Sequence, residues 1–277
     1  MTDERRRAVR LAYDGRPFHG FQRQPDVPTV EDAIFDAFRA LDVLDEAAAK
    51  PDGYAAAGRT DAGVSARAQT VALDAPDWLT PRALNGELPD SVRAWAGADV
   101  APGFHATHDA RAREYVYHLY APRDPSMGPG FDDDRARGAL ALLAGEHDFH
   151  NLTPDETGTV RDLDATASRD GAFFVVTLRA GGFARQLVRR VVSLVAAVGR
   201  CDADLDAVDR VLGAEPLDGP DGVAPAPADP LVLWDVAYDC EFSVDERAAA
   251  DARDTFGSRH AGLLARARVA GRLRDGI

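Results

Sequence analysis

Lysine is almost missing from this chain: of 32 basic residues only Lys50 is a lysine, and the other 31 are arginine. Cysteine is scarce as well. Cys201 and Cys240 are too few for a disulfide framework, and no clustered His/Cys spacing suggests structural zinc. No apolar run approaches the ~20 residues of a membrane-spanning helix. The opening residues, Met1 to Arg7, are charged where a signal peptide would be hydrophobic. Phosphate-cradling loops of the G-x-G-x-x-G or G-K-[ST] kind are absent, which argues against a nucleotide cofactor. His19, His105, His108, His147 and His150 fall in no metal-ligand spacing and read as surface or capping residues. What remains is a cytoplasmic globular protein of 277 residues, 45% apolar, able to bury one substantial core or two smaller ones.

Acids outnumber bases 46 to 32, for a net charge of −14. So acidic a chain should repel nucleic acid, whose binding is dominated by phosphate contacts. An Asp-rich, lysine-poor surface is also what a very salty cytoplasm favours. Screening over roughly 3 Å at 1 M salt then makes net charge a poor guide to partners. The second reading fits better, and the acidity describes the habitat.

Two halves mix strand and helix signals. Residues 8–13 alternate as a strand and end at the turn pair Asp14-Gly15. Thr29 then has the place of an N-cap, with Asp32 at the third helical position. Val30, Ala33, Ile34, Ala37, Phe38, Leu41 and Leu44 follow at helical spacing. Residues 54–57 and 69–74 read as short strands around a turn. The second half opens with a strand that sets Tyr115, Tyr117 and Leu119 on one face. A helix is expected over 132–144, a strand over 172–179, and a helix over 183–198 closed by Gly199. A Pro/Gly-rich loop spans 213–230, a strand 231–238, and the last thirty or so residues read as an appended surface helix. The domains expected are 1–103, 104–246 and a C-terminal extension over 247–277.

The stretch Gly58-Arg59-Thr60-Asp61-Ala62-Gly63-Val64 carries the strongest chemical signal. It places a carboxylate on a tight turn at a strand end, where backbone can approach a ligand. Aspartate and glycine are also ordinary turn residues. Two features favour chemistry: Arg59 is at hand, and Gly53, Gly58 and Gly63 keep side chains out of the way. The helix expected over 183–198 is apolar nearly all round, so its arginines need partners or must reach solvent. On it Arg185 and Arg189 would share a face at i, i+4. A salt bridge from Arg189 to Asp61 would be worth up to ~4 kcal/mol of Coulomb energy at an effective dielectric of about 20. Most strand tyrosines are half-buried packing residues, and that reading is the strong one for Tyr115; if a nucleic acid is the substrate, stacking a flipped base on its ring would be worth ~1–3 kcal/mol.

In these motifs the chain resembles the TruA family of tRNA pseudouridine synthases. Tyr13-Asp14-Gly15-Arg16-Pro17-Phe18-His19-Gly20-Phe21-Gln22-Arg23-Gln24, followed by Thr29-Val30-Glu31, is similar to that family's opening motif. Gly58 to Ala66, ending in Gln69, is similar to its signature. Phe104-His105-Ala106, Arg113-Glu114-Tyr115-Val116-Tyr117 and Phe183-Ala184-Arg185-Gln186-Leu187-Val188-Arg189 follow in the family's order. The likeness covers about residues 8 to 240. It departs at Ser65, where the family usually has histidine, at Phe21, where it has tryptophan, and at Thr107, where arginine is frequent.

The resemblance implies an α+β pseudouridine-synthase fold: two similar halves with antiparallel-rich sheets joined around a central catalytic cleft. It implies Asp61 as the catalytic nucleophile, Arg189 as its ion-pair partner, and Tyr115 packed on the target uracil and assisting proton removal from C5. Arg59 would hold the flipped nucleotide open, and Leu231 would line the pocket. The implied reaction isomerises uridine at positions 38–40 of the tRNA anticodon stem-loop to pseudouridine, without metal or cofactor, in a homodimer. Two rivals stand beside it: a non-catalytic RNA-binding or RNA-folding protein on the same scaffold, and a glycosidic-bond hydrolase. The hydrolase would normally need two cooperating carboxylates, and no second acid pairs naturally with Asp61 in the sequence.

Overall fold

The computed structural model describes residues 4–217 and 222–276. Residues 218–221 of the expected Pro/Gly-rich loop lie outside the described residues.

The first half is built from β1 (Glu4–Tyr13), α1 (Val30–Ala40), β2 (Ala55–Ala56), β3 (Ser65–Pro76), α2 (Pro81–Asn85) and β4 (Val92–Asp99). Thr29 caps α1 as its sequence predicts: its side chain takes the Asp32 amide while the Asp32 carboxylate reaches back to the Thr29 amide. The apolar stripe Val30, Ile34, Ala37 and Phe38 then packs on Val9, Leu11 and Tyr13 of β1 and on Val71 and Leu73 of β3. The second half contains β5 (Ala112–Tyr120), α3 (Asp133–Leu143), β6 (Gly145–Asp148), β7 (Val160–Asp170), β8 (Phe173–Ala180), α4 (Leu187–Gly199), α5 (Asp206–Leu212) and β9 (Leu231–Ala237). Its core joins Tyr117 and Leu119 of β5 and Phe174, Val176 and Leu178 of β8 to the apolar faces of α3 and α4. The short β10 (Ser243–Val244) extends the edge at β4, and α6 (Glu246–Asp275) ends the chain.

The expected α+β class holds, with mostly antiparallel strands. The two halves, however, share one ten-stranded sheet in the order β10-β4-β1-β3-β9-β5-β8-β7-β6, with β2 on β3. The seam is the parallel pairing of β3 with β9, Ser65 opposite Val232 and Ala66 opposite Leu233. β9 serves both cores: Leu231 packs in the second, Leu233 and Val236 in the first. Tyr115 touches both.

One expected helix starts late. Residues 183–186 are not helical, and α4 begins at Leu187 because Gln186 takes a left-handed conformation (φ 61). Arg185 and Arg189 therefore do not share a helix face.

Candidate active site at the seam of the sheet

The Asp61 turn is held in place by backbone. Residue 57 still pairs with β3 (Ala57 amide to Thr70 carbonyl, 2.8 Å), and the buried Gln69 side chain donates to the Gly58 carbonyl at 2.7 Å. The Val64 amide closes the turn on the Asp61 carbonyl at 3.1 Å. The loop after β1 clamps it from the other side: the Phe21 amide donates to the Thr60 carbonyl (3.0 Å), and the Tyr13 and Thr60 hydroxyls lie 2.8 Å apart. Two glycines make this approach possible. A Cβ on Gly15 would sit 2.1 Å from the Val64 carbonyl oxygen. Gly20, at φ +103, lies with its would-be Cβ 3.1 Å from the Thr60 carbonyl oxygen. The opening motif and the signature motif are thus the two sides of one contact.

The three glycines expected to clear space around Asp61 do not all do so. Gly58 lines the cleft, but Gly53 packs against the Arg6–Asp74 pair and Gly63 faces Ala228. Only one of the three leaves room for a ligand.

Arg189 reaches Asp61 from α4. Its Nη1 donates to Asp61 Oδ2 at 2.9 Å and its Nε to the Ala226 carbonyl at 2.6 Å, while the Ala226 amide donates to the Arg189 carbonyl at 3.1 Å. The guanidinium is largely buried (16% exposed) and the carboxylate is 36% exposed, open to the cleft. The Ala226 anchor comes from the Pro/Gly-rich loop. Composition marks that segment as a loop and gives no hint that its backbone fixes a site residue. Arg185 has another partner, Asp155: its Nε lies 3.3 Å from one carboxylate oxygen and its amide donates to the other at 2.8 Å.

The cleft in front of Asp61 has a volume of about 1030 Å³ and is lined by Arg59, Asp61, Tyr115, Phe183, Arg189 and Leu231 among others. All five sequence-derived site residues, Asp61, Arg189, Tyr115, Arg59 and Leu231, therefore meet in one hollow. Tyr115 stands edge-on to Phe183, with ring centroids 5.1 Å apart and planes at 87°. Burial pushes its phenol up to about 12; Arg113 opposes the shift and Asp61 adds to it. Tyr115 is therefore a neutral hydroxyl near pH 7. Arg59 is exposed at the rim, and Leu231 is buried at the start of β9. His19 and His105, read from sequence as surface residues, also border the cleft. Burial, with His108 and Arg6 nearby, lowers the His105 pKa against the opposing pull of Asp109.

Sequence reasoning overlooked other lining residues. Lys50, the sole lysine, faces the cleft with Tyr54 and Glu31. Its rarity was the available signal. Arg113 spans the seam, donating to the carbonyls of Ala57 (2.6 Å), Thr107 (2.8 Å) and Gly181 (2.8 Å). The three departures from the family pattern are all built in. Ser65 Oγ accepts the Gly15 amide (3.1 Å), Thr107 Oγ1 donates to the Ala56 carbonyl (2.6 Å), and Phe21 is buried beside Tyr13. Among the described residues, no group of three His, Cys, Asp or Glu side chains converges as a metal site would.

Comparison with known proteins follows the same lines. A family described as tRNA pseudouridine synthase matches residues 139–239. tRNA pseudouridine synthase A of Halobacterium salinarum is 64% identical over 269 residues, covering 97% of this chain and 98% of that one. The Haloarcula marismortui protein of the same name is 59% identical over 275 residues, 98% of this chain and 100% of its own length. That of Methanosarcina acetivorans is 37% identical over 236 residues, 83% of this chain and 84% of its own. Among solved structures, an archaeal box H/ACA sRNP Nop10-Cbf5 complex aligns at 16% identity and TM-score 0.33, over 69% of this chain and 44% of that one. A likeness that slight adds nothing to the sequence relationship.

Proposed function

The chain belongs to the tRNA pseudouridine synthase A family, and from that premise we propose that it isomerises uridine at positions 38–40 of the tRNA anticodon stem-loop, with Asp61 as nucleophile. One observation carries the assignment of the site: an arginine-paired carboxylate opens into a cleft roomy enough for a nucleoside, beside an aromatic ring. Such a carboxylate can act on the sugar while the C1′–N1 bond breaks, the detached base turns, and a C1′–C5 bond forms. The proton displaced from C5 leaves to a base and N1, freed from the sugar, takes one up, so atoms balance and no co-reactant is consumed.

Each neighbour has a role suited to its chemistry. Arg189, tied by its second arm to Ala226, orients the Asp61 carboxylate. Tyr115 offers a ring face for the extruded uracil. As a neutral phenol it donates a hydrogen bond, and it removes the C5 proton only after losing its own, which its burial opposes. Arg59 at the rim holds the space left in the RNA, and Leu231 forms the apolar floor. Base extraction costs a few kcal/mol, least in loops and helix ends, which favours an anticodon stem-loop over a long duplex. We take residues 1–103 and 104–246 as the two halves flanking the cleft and 247–277 as an extension, and place the enzyme in the cytoplasm as a homodimer.

Incubation with unmodified tRNA, followed by mapping of pseudouridine and of free uracil, tests the reading. Pseudouridine at positions 38–40 without base release is the expected result. Released uracil would make the protein a hydrolase, and bound but unchanged tRNA would make it a binding protein.

A further inference from the structure

Residues 256–274 of α6 carry five arginines and no acidic residue, in a protein whose acids outnumber its bases 46 to 32. The chain has a second acid-free run, 171–201, and the contrast is informative. That run lies in β8, α4 and the link between them, and three of its five arginines pair with Asp164, Asp155 and Asp61, while Arg190 bonds the Val223 carbonyl. The α6 run lies on the surface. Arg259 is bound to Asp14 at 2.7 Å and Arg274 to Asp275 at 2.7 Å. Among the described residues, no carboxylate lies within 4.0 Å of Arg266, Arg268 or Arg272. Three unneutralised guanidiniums within seven residues, on so acidic a protein, call for an anionic occupant.

The helix is docked where that occupant would be useful. Asp245, its N-cap, bonds through its amide to the Trp95 carbonyl in β4, and Asp251 pairs with Arg93 at 3.1 Å. Further along, Arg259 holds Asp14, the residue before Gly15, whose backbone lies against Val64 of the Asp61 turn. At the far end, just past β5, the pKa of Asp124 is lowered chiefly by its hydrogen bonds with Ser126 and in smaller part by Arg274. Over its 30 residues, ~45 Å, α6 thus reaches from the edge of the first half to the second. Its exposed apolar residues do not form a seam for another helix. Val269 and Leu273 share a face at i, i+4, while Leu264 stands roughly 140–180° round the helix from them and Leu263 lies between. A helix with arginines on more than one face and a single short apolar pair suits a phosphate backbone better than a second subunit. Arginine also binds phosphate through a rigid two-point fork. Such close contacts persist when salt has screened longer-range fields.

On the reading of this chain as a tRNA-modifying enzyme, we propose that the C-terminal half of α6 is an RNA-binding arm in which Arg266, Arg268 and Arg272 contact the tRNA phosphate backbone outside the catalytic cleft. Glutamine fits an exposed helix, so the triple variant Arg266→Gln, Arg268→Gln, Arg272→Gln keeps the fold. Circular dichroism and melting check that it does. Binding of an unmodified tRNA transcript, measured from about 0.1 to 1 M KCl, should weaken at least about tenfold at the low end. The slope of log affinity against log salt should become shallower by about 2 to 3. KM for tRNA should rise with it, while kcat at saturating tRNA stays within about twofold. Unchanged affinity and slope would overturn the arm. So would unchanged tRNA binding with a lowered molecular mass in sedimentation, which would make α6 a subunit contact. Failure of the functional reading looks different: the wild-type protein would then bind tRNA without forming pseudouridine, whatever the variant does.

Discussion

Replacing Arg189 by alanine tests the centre of the site most directly. The substitution removes two bonds at once, Nη1 to Asp61 at 2.9 Å and Nε to the Ala226 carbonyl at 2.6 Å. The second, a charged donor on a carbonyl, is worth about 1.5–3 kcal/mol. A fully buried ion pair broken on one side would cost ~3–5 kcal/mol. Here the carboxylate is 36% exposed, so water replaces part of what the arginine supplied, and about 1 kcal/mol is a fairer share. The expected loss of stability is therefore about 2.5–4 kcal/mol. The rate should suffer more than the fold, because a carboxylate freed to swing by about 1 Å costs on the order of 100-fold in turnover. Denaturant unfolding gives the first quantity and single-turnover pseudouridine formation the second. A cycle with Asp61→Asn separates pairing from mere proximity. Because Asp61→Asn is expected to be inactive, the cycle is read in stability: if the two side chains are paired, the double variant loses less than the two single losses added. Additive losses, or an Arg189→Ala enzyme with normal turnover, would refute the orienting role.

Asp61→Asn keeps the shape of the turn and removes the charge, so isomerisation should vanish while tRNA affinity stays within a few fold, checked by filter binding beside a pseudouridine assay. Gly15→Ala adds a Cβ 2.1 Å from the Val64 carbonyl oxygen, which forces the clamp off the Asp61 turn. It should lower stability by about 2 kcal/mol or more and depress turnover together with the melting temperature. Acid should destabilise the fold through two buried carboxylates. Burial would raise Asp14, but Arg16 and Arg259 outweigh it and hold the carboxyl down to about 2; Arg169, against a smaller effect of burial and with help from Arg123, does the same for Asp133. Both lie below the ordinary value of 3.8, so their stabilisation is complete above about pH 4 and is lost as pH falls towards 2. Asp133→Asn should flatten that part of a stability-versus-pH curve.

Part of the short-range physics was legible. Residue 29 followed by residue 32 announced a capping box, and the capped helix is there, because both bonds close within four residues. The helix expected over 132–144 stands at Asp133–Leu143, and the one expected for the last thirty residues at Glu246–Asp275, since helical periodicity is written locally. The start of α4 was not legible. Phe183 to Gln186 are compatible with helix by composition, and only the left-handed turn at Gln186 stops it. That turn frees Arg185 to meet Asp155 instead of sharing a face with Arg189.

By itself, then, the sequence determined the class of fold, the capped helices, and the residues with the means for chemistry. Tertiary structure decided which of them meet. Asp61 and Arg189 are 128 residues apart, and a short parallel pairing of β3 with β9 joins the halves that carry them. No local pattern encodes that register, because its energy comes from burying Leu231 in one core and Leu233 in the other once both exist.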